Sequence, residues 1–163
     1  MGQVRIVVAD DHAIVREGII PLIECHPQFV VVGEADNGLD ALRLIEEQGP
    51  DVAVVDILMP ILGGIEVARQ ARRRSPGTRV VVLSAFTDQR YVLQALNAGA
   101  CAYVPKNAKP RDLITAITEA AAGRRYLSPP LSESALEEYA DEACLRVDED
   151  PLDRLTTRER EVL

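Results

Sequence analysis

The chain has 163 residues, 47% of them apolar, no tryptophan and a formal net charge of −8. Residues 1–130 carry 15 acids and 14 bases, whereas residues 131–163 carry 11 acids and 4 bases, so the acidity belongs to a tail and no basic footprint for nucleic acid is present. No apolar run reaches the length of a membrane span, no signal-peptide pattern precedes the Arg5-containing start, and Ile6 breaks the myristoylation pattern after Gly2, so a cytoplasmic protein is expected.

The elements alternate in chain order. Strand-like runs fall at 4–9, 29–35, 52–55, 79–84 and 101–105, and helix-like segments at about 13–25, 38–48, 64–74, 88–98 and 110–122. Leu39, Leu42 and Ile45 repeat at helical spacing, as do Leu113, Ile114 and Ile117. Gly49-Pro50, Ser75-Pro76-Gly77 and Gly99 mark helix ends, and Pro110 stands where it can open the fifth helix. Strands alternating with helices through short connections predict a parallel sheet covered on both faces. Cys25, Cys101 and Cys144 show no zinc or CxxC spacing, and the first two, set among apolar neighbours, are expected to be small core residues.

The character changes after Gly123. Leu127-Ser128-Pro129-Pro130 ends the repeat, and residues 132–144 have a partial apolar stripe of Ala135, Leu136, Tyr139, Ala140 and Ala143 that suits a helix. Asp148-Glu149-Asp150-Pro151 reads as a linker, and Thr156 with Glu159 has capping-box spacing. The expected domains are 1–125, an acidic linker over 126–154, and 155–163 as the opening of a further domain. A helix of about two turns cannot stand alone, so the sequence reads as part of a longer parent.

Three carboxylates set the chemistry. Asp10 and Asp11 follow the first strand, and Asp56 follows the third. Ligands of open α/β sheets bind at the carboxyl ends of the strands, so these acids meet if their strands are neighbours. Crowded carboxylates require a cation or protonation, and an all-oxygen cluster suits Mg²⁺. Lys106 ends the fifth strand in a chain whose other bases, apart from Lys109, are all arginine. An ammonium there is a compact charge suited to a carboxylate or a phosphoryl oxygen. The structural alternatives are helix capping by Asp10-Asp11, loop capping by Asp56 and a solvated strand-end lysine. His12 reads as a surface residue at a helix start.

Ala9-Asp10-Asp11-His12, Asp56-Ile57-Leu58-Met59-Pro60, Gly64, Ser84-Ala85 and Lys106 stand in the order and spacing that resemble bacterial response-regulator receiver domains. Asp10-Asp11-His12 with Arg16-Glu17-Gly18 is most similar to the NarL/FixJ subfamily, and residues 155–163 resemble the start of its LuxR-type helix-turn-helix. The resemblance covers 4–122. It implies a flavodoxin-like, doubly wound, five-stranded parallel sheet of order 2-1-3-4-5. It implies Asp56 as phosphoacceptor, with Mg²⁺ held by Asp11, Asp56, the backbone carbonyl of Leu58 and, through a water, Asp10. Lys106 and Ser84 would bind the phosphoryl group, and Tyr103 occupies the place of the family's rotating aromatic; a half-buried strand aromatic is the plain alternative. Many relatives have Pro after the lysine, where this chain has Asn107.

The implied partners are a sensor histidine kinase, a second copy after phosphorylation, and DNA through the full-length parent but not through this fragment. Apolar Leu58 and Phe86, flanking the path of an attacking water, predict slow autodephosphorylation rather than enzymatic turnover. A phosphorylation-independent regulator with the same fold is the alternative. A Mg²⁺-dependent aspartyl phosphohydrolase lacks a second acid beside Asp56, and a dinucleotide-binding protein lacks the glycine turn after the first strand.

Overall fold

The computed structural model describes residues 2–128. Its strands are β1 (Val4–Ala9), β2 (Phe29–Ala35), β3 (Val52–Val55), β4 (Arg79–Ser84), β5 (Ala102–Pro105) and β6 (Tyr126–Leu127). Between them run α1 (Ala13–Glu24), α2 (Gly38–Gln48), α3 (Gly64–Arg74), α4 (Gln89–Asn97) and α5 (Pro110–Ala121). The sheet order is β2-β1-β3-β4-β5-β6, with every pairing parallel.

The expected order 2-1-3-4-5 holds, and a short sixth strand extends it. Tyr126 and Leu127, assigned to the linker from sequence, pair with Ala102 and Tyr103. A two-residue strand has no period to read, and only the neighbouring β5 reveals it. The remaining boundaries agree with the sequence pattern to within a residue or two.

The strands are apolar on both faces because both faces are covered. Val52 and Val54 of β3 pack with Ile23 of α1 and Leu113, Ala116 and Ile117 of α5. Ala53 and Val55 face the other way, toward Leu42 and Ile45 of α2, Val67 of α3 and Val92 and Leu96 of α4. Each fully buried Val, Leu or Ile contributes roughly 1.5–3 kcal/mol relative to exposure. The helix ends follow local chemistry. Asn37 caps α2 by accepting the Asp40 N–H at 2.8 Å, Gly49 closes it at φ 54°, and Pro110 opens α5.

Helix α1 departs from the pattern. It is rich in Ile, Val and Leu, yet Ile23 is its one buried residue. Cys25, at the C-cap of α1, is exposed, and Cys101, just before β5, is half-buried, so neither is the core residue its apolar neighbours suggested. Cys144 and the segments at 132–144 and 155–163 lie outside the described residues.

Candidate functional site

The chain order turns back between β1 and β3: β2 lies on one side of β1 and β3 on the other. Ala9 pairs with Val55, so the residues that follow, Asp10 and Asp56, emerge side by side at the carboxyl edge of the sheet. The Asp56 N–H donates to the Ala9 carbonyl at 3.1 Å, and the Asp10 N–H to the Ala35 carbonyl at 3.1 Å. Main-chain bonds thus fix both acids. Asp10 is 2% exposed and Asp56 4%.

Lys106 reaches these two from the end of β5. Its Nζ donates to Asp56 Oδ2 at 3.0 Å and lies 2.8 Å from Asp10 Oδ2. Its own N–H is tied to the Ser84 carbonyl at 2.8 Å. Asp11 is more exposed, and one oxygen from each of the three carboxylates lies within 4.8 Å of the others and of a ring nitrogen of His12. The acids expected from sequence are therefore one cluster, with the lysine against two of them.

Burial pushes the Asp56 carboxyl above the ordinary aspartate range, with the Asp10 charge adding to the rise. The hydrogen bond and charge of Lys106 and the Leu58 N–H pull against it. For Lys106 burial is the largest influence and favours the neutral amine, but hydrogen bonds and charges from Asp10 and Asp56 together outweigh it and raise its pKa. One ammonium set against three carboxylates leaves negative charge over. Asp10 Oδ2 is buried and lies 2.8 Å from Lys106 Nζ, the same ammonium that Asp56 uses. A small hard cation with oxygen ligands and retained waters fits that surplus and that donor set.

His12 is the N-cap of α1 and largely exposed, as read from sequence. Its N–H donates to Asp10 Oδ1 at 2.9 Å, and its Nδ1 lies 3.1 Å from Asp10 Oδ1 and from Asp11 Oδ1. Asp10 therefore holds the start of α1 and belongs to the acidic cluster at once. Sequence reasoning gave Arg16 no role of its own. Its guanidinium donates to the Asp10 carbonyl and to Glu34 Oε1, pinning β1's end to α1 and β2. The signal was the position of Arg16 one helical turn after His12.

Ser84 and Tyr103 are both fully buried. Ser84 Oγ accepts the Phe86 N–H at 2.9 Å, and the Tyr103 hydroxyl donates to the Phe86 carbonyl. Tyr103 is thus deeper than the half-buried strand aromatic weighed from sequence, and burial pushes its phenol up to about 12.

The loop after Asp56 is held by close backbone contacts. A Cβ on Gly64 would lie 2.1 Å from the Asp56 carbonyl oxygen, and the Gly64 N–H bonds the Ile57 carbonyl at 2.8 Å. Ile61 has φ 73°, and the Leu62 N–H bonds the Pro60 carbonyl at 2.7 Å, which makes a γ-turn of the strained hand. Leu58 and Ile61 are 57% and 73% exposed on that loop.

The family model described as response regulator receiver domain matches residues 6–118. The chain belongs to the response-regulator receiver family. The receiver is 36% identical over 138 residues to the transcriptional regulatory protein DegU of Brevibacillus brevis, covering 85% of this chain and 58% of that one. It is 37% identical over 161 residues to the probable transcriptional regulatory protein NarL of Mycobacterium tuberculosis, covering 99% and 72%. A solved LuxR-family two-component response regulator from Aurantimonas sp. SI85-9A1 is similar at 39% identity and TM-score 0.79, over 85% of this chain and 99% of that one. The chain thus spans little more than half of DegU, and its relatives are regulators of the NarL/LuxR type.

Proposed function

We propose that this receiver is a phosphorylation switch in which Asp56 takes a phosphoryl group from a sensor histidine kinase. The observation that carries the reading is the Asp56 carboxylate, buried at the end of β3 with Lys106 Nζ at 3.0 Å. A carboxylate oxygen of Asp56 attacks phosphorus, an acyl O–P bond forms, and the P–N bond to the donor imidazole breaks. The imidazole leaves with the bonding pair and takes up a proton from solvent. Lys106, already aimed at Asp56 Oδ2, then pairs with the phosphoryl oxygens. Asp11, Asp56, the Leu58 carbonyl and, through a water, Asp10 would hold Mg²⁺, which when bound offsets charge on the carboxylates and the transferring group.

Ser84 turns its hydroxyl to a phosphoryl oxygen and so releases the Phe86 N–H. Phe86 is also tied to Tyr103, so one local charge change reaches a ring in the core and the α4–β5 surface. The switch acts in the cytoplasm, and among the described residues no helix is long and apolar enough to cross a membrane. Phosphorylation favours a homodimer and controls transcription through a helix-turn-helix domain that starts at 155–163 in a longer parent. Leu58 and Phe86 slow hydrolysis, and a phosphoryl lifetime of seconds would overturn that point.

The test is incubation with Mg²⁺ and acetyl phosphate, followed by intact mass, beside Asp56→Asn. One added phosphoryl group on the parent and none on the variant is expected. No adduct with acetyl phosphate or with any kinase would overturn the switch and leave a receiver that acts without phosphorylation.

A further inference from the structure

We infer that His12 gives the acidic pocket a nitrogen ligand and so makes it a site for a divalent transition cation of the Zn²⁺ or Co²⁺ kind, held more tightly than Mg²⁺. The inference deepens the phosphoacceptor reading and rests on it for the metal pocket at Asp11 and Asp56.

The ring of His12 is free for this task because the main chain does the capping. The His12 N–H donates to Asp10 Oδ1 at 2.9 Å, and the side chain makes no cap hydrogen bond to α1. The ring nitrogen Nδ1 then stands 3.1 Å from Asp10 Oδ1 and 3.1 Å from Asp11 Oδ1. One proton on Nδ1 cannot point at two oxygens at once, and both separations exceed the roughly 2.7–2.9 Å of a charge-assisted N–H···O bond. They match a different arrangement. Neighbouring ligands around a six-coordinate cation with bonds of about 2.1 Å lie about 3.0 Å apart. One ligand atom each from Asp10, Asp11, His12 and Asp56 lies within 4.8 Å of all the others, so Asp56 is in reach of the same ion.

The donor set decides which cation gains. Mg²⁺ takes oxygen and keeps its waters, so an imidazole offers it little. Zn²⁺ and Co²⁺ bind imidazole well and stand above lighter divalent ions in general affinity. Asp10 and Asp56 form a buried oxygen floor, whereas the His12 side chain is 64% and that of Asp11 31% exposed. The nitrogen therefore stands at the open rim, where a cation enters and where Mg²⁺ leaves a place to water. His26, the chain's other histidine, sets its Nδ1 3.3 Å from the Leu22 carbonyl and its ring beside Phe29. It serves as the internal control.

Nitrogen NMR of the two histidine rings tests the inference. The whole chain is used with Cys25, Cys101 and Cys144 changed to serine, so that thiolates do not compete for the metal. Added Zn²⁺ is expected to move the Nδ1 resonance of His12 and leave that of His26 in place, while Mg²⁺ moves neither ring. In His12→Gln, which keeps the main-chain cap, Zn²⁺ affinity should fall by at least about tenfold, since losing a mere supporting partner of a ligand costs that much. Zn²⁺ that binds without moving His12, or equally well in His12→Gln, overturns the nitrogen ligand. A shift at His26 alone places the ion elsewhere and overturns it too. Acetyl-phosphate labelling of the parent in Mg²⁺ separates the two readings. Labelling at Asp56 with an unmoved His12 ring overturns this inference alone, and a moved ring without labelling overturns the phosphoacceptor alone.

Discussion

Tyr103 and Ser84 hold the two polar groups of a single peptide residue: Tyr103 donates to the Phe86 carbonyl, and Ser84 accepts the Phe86 N–H. A core ring and a strand-end hydroxyl are thereby joined through the loop that follows β4. Tyr103→Phe removes one of the two bonds without changing the packing of the ring. The expected cost is about 1 kcal/mol in urea unfolding. Amide exchange at Phe86 should quicken as well, and unchanged exchange there would show that the bond does not hold the loop.

The same phenol offers a spectroscopic check. Burial holds Tyr103 up to about 12, against an ordinary value of 10.0. The folded state therefore keeps this proton more tightly than the unfolded chain. The associated stability is present below pH 10 and is lost as pH rises toward 12. An ultraviolet titration should show a late-ionising tyrosine that is absent in Tyr103→Phe.

Lys106→Met leaves Asp10 and Asp56 buried without their ammonium. Breaking a buried pair in this way costs about 3–5 kcal/mol. The sign of the pH dependence follows from Asp56, whose carboxyl is already above the ordinary value of 3.8 through burial and the Asp10 charge. Loss of Lys106 removes an influence that lowers it, so it rises further. The folded variant then binds the proton more tightly than the unfolded chain, and its deficit is largest at neutral pH. The deficit shrinks as pH falls through the raised value toward 3.8. Urea midpoints of parent and variant that stay equally separated from neutrality to pH 4 would contradict this.

Gly64 adjoins Asp56, the proposed phosphoacceptor, through its backbone. A methyl group there would sit 2.1 Å from the Asp56 carbonyl oxygen, a main-chain atom with little room to yield. Gly64→Ala should cost about 3 kcal/mol, at the upper end of overpacking effects. It should also lower the extent of acetyl-phosphate labelling in protein that remains folded by circular dichroism.

Ile61 gives the opposite expectation. A β-branched residue at φ 73° is strained by about 1–3 kcal/mol, and its side chain is 73% exposed. Ile61→Gly relieves that strain and adds about 1 kcal/mol of unfolded-chain entropy. The urea midpoint should be no lower than the parent's. A clear fall would mean that the isoleucine side chain makes a stabilising contact on that loop.

Much of this was legible in the sequence for physical reasons. Val52–Val55 is apolar without alternation because both faces of β3 are buried, and Asp56 follows at the edge where the main chain leaves the sheet. Lys106 could be assigned because its long stem ends in the one kind of charge that suits two adjacent carboxylates. Other features needed three dimensions. The apolar neighbours of Cys25 suggested burial, but Cys25 is the C-cap of α1 and is exposed, while Ile19, Ile20 and Leu22 are the residues that pack with Ile23 against the core. Leu39 shares the helical spacing of Leu42 and Ile45 yet is 46% exposed, because it sits at the first turn of α2. The ring of His12 gains its meaning from distances to Asp10 and Asp11 that no spacing encodes.

The borders of the sheet carry a further consequence. On one side β6 offers only two residues, too few to template an added strand. On the other, the pairing of β2 with β1 slips between Ile6 and Val7, where Val31 is followed in register by Gly33. That irregularity interrupts the outer strand in the middle of its valine run and bends it away from a flat partner. Among the described residues the sheet margins disfavour lateral growth by hydrogen-bonded stacking of strands, which leaves the helical faces as the broader surfaces open to assembly.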